Sequence, residues 1–201
     1  SDVCSSDLTP LAADPPPTAE ARETVEPEGP SRLGTRAPSE AVRATKYMIV
    51  AAHPLAAEAG REILRKDGSA VDAAIAAQMV LNLVEPQSSG IGGGGFLLHF
   101  ARASGTVESY DGREQAPASA KPDMFLNAEG KPRSFGDVVA GGLSVGVPGV
   151  LRMLELAHKE HGKLPWRDLF QPAIQLADQG FDISPRLADA IARDPQLKNF
   201  P

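Results

Sequence analysis

Between Gly90 and Gly95 five of six residues are glycine, in the run Ser88-Ser89-Gly90-Ile91-Gly92-Gly93-Gly94-Gly95-Phe96. A run of residues without side chains is useful where backbone must approach backbone or ligand closely, as in a tight connection between packed elements. The flanks decide between these uses. Ser69-x-x-Asp72 before the run reads as a capping box that opens a helix to about Val84, and Glu85-Pro86 ends it. That helix is apolar nearly all round, which suits burial between layers. After the run, Phe96–Ala101 and Thr106–Asp111 are joined by Ala103-Ser104-Gly105 and predict an antiparallel hairpin. The order is thus helix, glycines, strand. A dinucleotide fingerprint needs the reverse, and a phosphate-binding P-loop needs a Lys-Ser/Thr pair that does not follow. Gly90, Gly92, Gly93, Gly94 and Gly95 therefore read as a close-packing helix-to-strand loop.

The remaining pattern is that of an ordered segment behind a polar leader. Residues 9–45 hold seven prolines and no aromatic residue, a composition that buries too little apolar surface to offset its ordering entropy. Residues 1–45 are read as a disordered Pro/Ala/Glu-rich leader. Within it residues 1–8 resemble the translation of a sequencing-adapter oligonucleotide, and Ser1 is read as an accidental start, not as an N-terminal nucleophile. Order is expected over 46–201. Met48–Ala52 is an apolar run suited to a buried strand. A helix follows from Leu55 to Lys66, ended by Asp67-Gly68 with the glycine at C′. Beyond the hairpin, helices are expected from Val147-Pro148-Gly149 to Glu160, from Trp166 to Asp178 with Pro172 kinking it or shifting its start, and from Ser184-Pro185 to Asp194. The order βααββ followed by helices predicts an α+β or layered αββα fold.

Charge and composition exclude several classes. The net charge is −6, and the eight acids and four arginines of residues 1–45 account for −4 of it. Nucleic acid is not an expected partner. The longest apolar stretch, Ala73–Val84, is interrupted by Gln78 and Asn82 and is too short to span a membrane. The single cysteine, Cys4, cannot form an intramolecular disulfide. His53 and His99 do not make a site, His99 reading as a strand histidine on one sheet face; no carboxylate or cysteine stands at metal-ligand spacing beside His158 and His161, so no metal is expected, and Ser88-Ser89-Gly90 is not a nucleophile elbow.

The residue type that stands out chemically is Arg113, in Asp111-Gly112-Arg113-Glu114-Gln115-Ala116-Pro117 directly after the second strand. A guanidinium is permanently charged and planar, and it grips a carboxylate through two parallel hydrogen bonds. Glu114 is placed to orient Arg113 or the neighbouring loop, and Asp111 belongs to the loop structure.

Taken together, the glycine run, Asp111 to Ala120, Asp67–Ala74, Gly146-Val147-Pro148-Gly149, Phe170-Gln171-Pro172-Ala173 and Ala177-x-x-Gly180-Phe181 resemble the large subunit of γ-glutamyltransferases over Val42 to Phe200. The resemblance implies an αββα sandwich of the N-terminal nucleophile hydrolase type, present here as the first part of the large subunit. It implies a zymogen that cleaves itself, and a threonine nucleophile that lies in the small subunit. The implied substrates are glutathione and related γ-glutamyl compounds, the acyl group passing to water or an amino-acid or peptide acceptor, without cofactor or metal. Arg113 would hold the substrate's α-carboxylate, no catalytic residue falls within these residues, and the segment alone would be inactive. Periplasmic or extracellular placement is implied as well. Two alternatives remain: a related glutaryl-type acylase of the same fold, and a non-enzymatic module that binds amino-acid carboxylates.

Overall fold

The computed structural model describes residues 41–199, so most of the leader expected over residues 1–45 lies outside the described residues. From Ala44 onward the chain forms one unit. Its elements are α1 (Pro54–Arg65), α2 (Ala70–Val84), β1 (Phe96–Ala101), β2 (Thr106–Asp111), α3 (Phe135–Val139), α4 (Val150–His161), α5 (Gln171–Gln179) and α6 (Pro185–Arg193), with 3-10 turns at Trp166–Phe170 and Leu197–Asn199. Helices and a two-stranded antiparallel sheet make this an α+β arrangement. No helix among the described residues is long and apolar enough to cross a membrane.

Helix α2 is the centre. Its near-continuous apolar surface contacts α1 on one side and α4 and α5 on others. Ile75 and Met79 pack with Ile63, Met153, Leu154 and Leu169, while Ala77, Val80 and Val84 close on Ala56 and Ala59. The expected capping box is formed: Asp72 N donates to Ser69 Oγ at 3.0 Å and Ser69 N to Asp72 Oδ2 at 2.8 Å. Asp72 does more than cap. Its carboxylate is wholly buried, and Oδ2 also accepts from the backbone N–H groups of Lys163 (2.9 Å) and Leu164 (3.1 Å). Oδ1 faces His158 Nε2 across 3.6 Å, and that nitrogen lies 2.9 Å from the Leu164 carbonyl. A buried carboxylate requires such partners. Here they lock the start of α2 to the chain leaving α4.

Three local expectations are corrected. Met48–Ala52 is extended but has no ladder partner among the described residues; Ile49 packs into both core clusters while Val50 points out, so the period of two is real and the strand is not. At the end of α1 the C′ residue is Asp67, in the left-handed region at φ 61°, and glycine follows it at C″. Gly68 N donates to Ile63 O and Asp67 N to Leu64 O, a Schellman pairing one residue out of the expected register. Helix α4 begins at Val150, leaving Pro148 outside its first turn. Pro172 does shift a helix start: Trp166–Phe170 is a 3-10 turn and α5 begins at Gln171.

The hairpin has the expected bounds and the register Phe96↔Asp111 through Ala101↔Thr106. Leu97, His99 and Tyr110 face α4, and the other face carries Phe96, Leu98, Phe100 and Val107, between 62% and 71% exposed.

Removing the Asp72 carboxylate strands two N–H groups of the α4 exit and the start of α2. Asp72→Ala is expected to cost about 3 kcal/mol in urea unfolding, with Asp72→Asn, which keeps one acceptor oxygen, losing less. A loss under about 1 kcal/mol for the alanine variant would reduce the carboxylate to an ordinary helix cap.

Candidate functional site

The glycine run leaves α2 through a polar loop held on both sides. Glu85 is buried and accepts from Arg186 and from Gln87 Nε2 (2.8 Å), while Arg186 Nη2 also donates to Ser88 Oγ at 3.0 Å. Gln78 Nε2 donates to Ser89 Oγ at 2.7 Å. The loop then passes the start of α4, where Gly93 O accepts from both Gly149 N and Val150 N at 3.2 Å. Two helix N–H groups that α4 cannot pair internally are thereby satisfied.

Backbone meets backbone at this point. Gly95 and Gly112 exchange hydrogen bonds of 3.2 and 2.9 Å and extend the hairpin by one pair. A Cβ on Gly94 would lie 2.5 Å from Gly112 O and 2.8 Å from Glu114 N; a Cβ on Gly149 would lie 2.4 Å from Gly112 O. No side chain fits at either position. At Gly93 the nearest atom to such a Cβ is Glu114 Oε1 at 3.3 Å, at Gly90 it is Gly92 N at 4.0 Å, and at Gly92 and Gly95 nothing lies within 4 Å. Within this chain the steric requirement falls on Gly94, not evenly on the run. On the other flank Gln115 and Val147 form an antiparallel bridge, with Val147 N donating to Gln115 O at 2.8 Å.

Arg113 stands one residue beyond this junction. Asp111 Oδ1 accepts from Arg113 N at 2.8 Å and fixes the turn, as a loop residue would. The Arg113 side chain is 71% exposed, and its Nε lies 3.7 Å from Glu114 Oε2. Glu114, a third exposed, lies between the guanidinium and the glycines, and it lines a surface cavity of about 680 Å³ with Gln78, Ser89, Gly93 and Gly94. Of the residues singled out from the sequence, the structure sets Glu114 against Gly93 and Gly94, and Arg113 touches that neighbourhood through Glu114. The Arg113 guanidinium is largely exposed and is not among the residues lining that cavity, and no nucleophile–base pair accompanies it among the described residues.

One constellation escapes a reading by spacing. His99, Glu108 and His161 come from β1, β2 and the last residue of α4, yet their donor atoms lie within 4.8 Å of one another. Cross-strand register supplies the first pair and packing of the hairpin on α4 the third, so nothing local in the sequence marks it.

The steric argument separates the glycines. Gly94→Ala is expected to destabilise the chain by about 1–3 kcal/mol, while Gly92→Ala and Gly95→Ala, at open positions without positive φ, should be neutral to slightly stabilising. Equal costs at all three positions in denaturant unfolding would overturn the assignment.

Sequence and structure comparisons place the chain among known proteins. A glutathione hydrolase proenzyme of Bacillus subtilis (strain 168) is 47% identical over 145 residues, which are 72% of this chain and 25% of the relative. The chain therefore spans about a quarter of that relative's length. The crystal structure of Helicobacter pylori γ-glutamyltranspeptidase matches with a TM-score of 0.70 at 36% identity, over 76% of this chain and 43% of that one. A cephalosporin acylase from Bacillus halodurans matches with a TM-score of 0.62 at 27% identity, over 84% of this chain and 32% of that one. The sequence model described as gamma-glutamyltranspeptidase matches residues 56–201, most of the described fold with its glycine junction and Arg113, and the chain belongs to that family.

Proposed function

We propose that residues 46–201 are the N-terminal portion of the large subunit of a γ-glutamyltransferase that acts on glutathione and related γ-glutamyl compounds. The observation that supports this most is the setting of Arg113. A rigid backbone junction holds it, it is largely exposed, and its one described ion pair is a loose contact with Glu114. A guanidinium so placed is free to grip the α-carboxylate of a γ-glutamyl substrate in a two-bond fork. Glu114 limits where that fork can point.

In this reading the nucleophile is a threonine carried by the small subunit, released from the same precursor by self-cleavage. Its hydroxyl oxygen attacks the γ-carbonyl carbon, the amide C–N bond breaks, and the hydroxyl proton leaves with the amine. Water or an acceptor amine then takes the γ-glutamyl group from the threonine ester and restores the hydroxyl. Arg113 contributes by position, since a substrate anchored at one end presents its carbonyl in a fixed place. The exposed face of Phe96, Leu98, Phe100 and Val107 is where the rest of an αββα sandwich would pack. The protein acts in the periplasm or outside the cell, and this segment by itself is inactive.

The acylase likeness supports a second reading, in which Arg113 holds the terminal carboxylate of a glutaryl-type chain. Both are tested in the complete precursor. Arg113→Lys keeps the charge and removes the fork, and should lower kcat/KM for a γ-glutamyl anilide by about 10²-fold, mainly through KM, with self-cleavage intact. A change smaller than about threefold would remove Arg113 from the site. Glutaryl amides cleaved faster than γ-glutamyl amides would select the acylase. Glutamate binding lost in Arg113→Lys, with no turnover of either amide by the parent protein, would select the binding module.

A further inference from the structure

The inner face of the hairpin carries a polar cluster that the proposed acyl transfer does not use. His99 Nδ1 lies 3.3 Å from Glu108 Oε2, and His161 Nε2 lies 2.8 Å from the same oxygen. The two imidazoles stack with centroids 3.8 Å apart and planes 21° from parallel. Tyr110 follows on the same face, its hydroxyl 2.8 Å from His161 Nε2 and bonded to Glu160. That bond to Glu160, with some burial, pushes the phenol up to about 12.

We propose that His99, Glu108 and His161 form a binding site for a divalent transition-metal ion, zinc being the expected occupant, that staples the β1–β2 hairpin to the C-terminal end of α4. Two imidazoles and a carboxylate are a donor set of borderline softness, which suits zinc and its neighbours over magnesium or calcium. Donors about 2.0–2.1 Å from a tetrahedral ion are about 3.3 Å apart. The two measured edges, 3.3 and 2.8 Å, are close to that before any side chain moves. The third edge, between the two nitrogens, is within 4.8 Å, and the stacked rings must turn out of parallel for both in-plane lone pairs to meet one ion. Charge favours a cation as well: the described ion pairs of Glu108 and Glu160 are with these two histidines, and none is with Lys or Arg. The histidine side chains are 20% and 19% exposed and Glu108 45%, which leaves an open side where water completes the coordination. Tyr110 and Glu160 approach the same Nε2 of His161, at 2.8 and 3.9 Å, so a bound ion would displace the tyrosine hydroxyl from that nitrogen.

The role this gives the ion is mechanical. Three ligands from three elements would fix the hairpin on the C-terminal end of α4, at the other end of that helix from the junction beside Arg113, and nothing in the threonine chemistry passes through it.

The test uses the 201-residue chain without an affinity tag. Cobalt(II) titration should produce the visible bands of a low-coordinate nitrogen–oxygen site at one equivalent, zinc should displace them, and zinc should raise the unfolding temperature or, in a chain that needs it to fold, induce helical circular dichroism. His99→Ala, His161→Ala and Glu108→Gln should each weaken uptake by more than about tenfold. His53→Ser, which alters a histidine outside the cluster and keeps an oxygen cap on α1, should leave it unchanged. A chain whose cobalt spectrum, zinc uptake and thermal unfolding do not respond to metal overturns the proposal. So does uptake that survives the three replacements, which would leave the cluster a hydrogen-bonded histidine–carboxylate network.

Discussion

The carbonyl of Gly112 is the point on which this arrangement turns. A Cβ on either Gly94 or Gly149 would come within 2.5 Å of its oxygen, so three chain segments meet there with no side chain between them. Each segment arrives from a different element: the glycine run from α2, the turn from β2, and the approach to α4. Dispersion and hydrogen bonds are strongest at such short range, and a close-packed junction has few ways to yield. The next residue in the chain is Arg113. A side chain raised on a rigid support keeps its geometry better than one on a free loop.

Helix α4 carries that rigidity to the rest of the fold. At its N-terminus two backbone N–H groups are spent on Gly93 O. Beyond its C-terminus the backbone of Lys163 and Leu164 is held by the buried Asp72 carboxylate at the head of α2. One helix is thus pinned at both ends to two consecutive parts of the chain, α2 and the loop that follows it. The inner face of the hairpin lies along the same helix through Leu97 and Tyr110. Movement of α4 would disturb the junction and the hairpin together, which couples core packing to the position of Arg113.

The signals legible in the sequence were those whose cause is local. Ser69 and Asp72 are three residues apart and cap the same turn; the hairpin is written in two apolar runs and a glycine turn; Pro172 must fall in a first turn, and Ser184-Pro185 opens α6. What could not be read depends on partners far along the chain. The reach of Asp72 to Lys163 spans 91 residues. The unequal steric load on the glycines follows from where Gly112 and Glu114 lie in space. Met48–Ala52 has the alternation of a strand, but a strand is defined by a neighbour, and none is present among the described residues. The histidine cluster needs cross-strand register and helix packing at once, so chain spacing alone argued against it.

The outer face of the hairpin tests the coherence of the whole reading. Phe96, Leu98, Phe100 and Val107 sit on one side of a two-stranded sheet and remain mostly exposed. Burying such side chains is worth about 1.5–3 kcal/mol each, so the four together approach the net stability of a small domain. Two strands are marginal without a further layer, and an apolar face of this kind is where another layer belongs. A chain that matches a quarter of its relative's length and ends its best-defined sheet at two strands is therefore physically consistent with a large-subunit portion whose remaining layers come from elsewhere in a precursor. Among the described residues the outer face of the hairpin has no hydrophobic partner. In the proposed reading, a further layer packed on that face would complete the core beside Arg113.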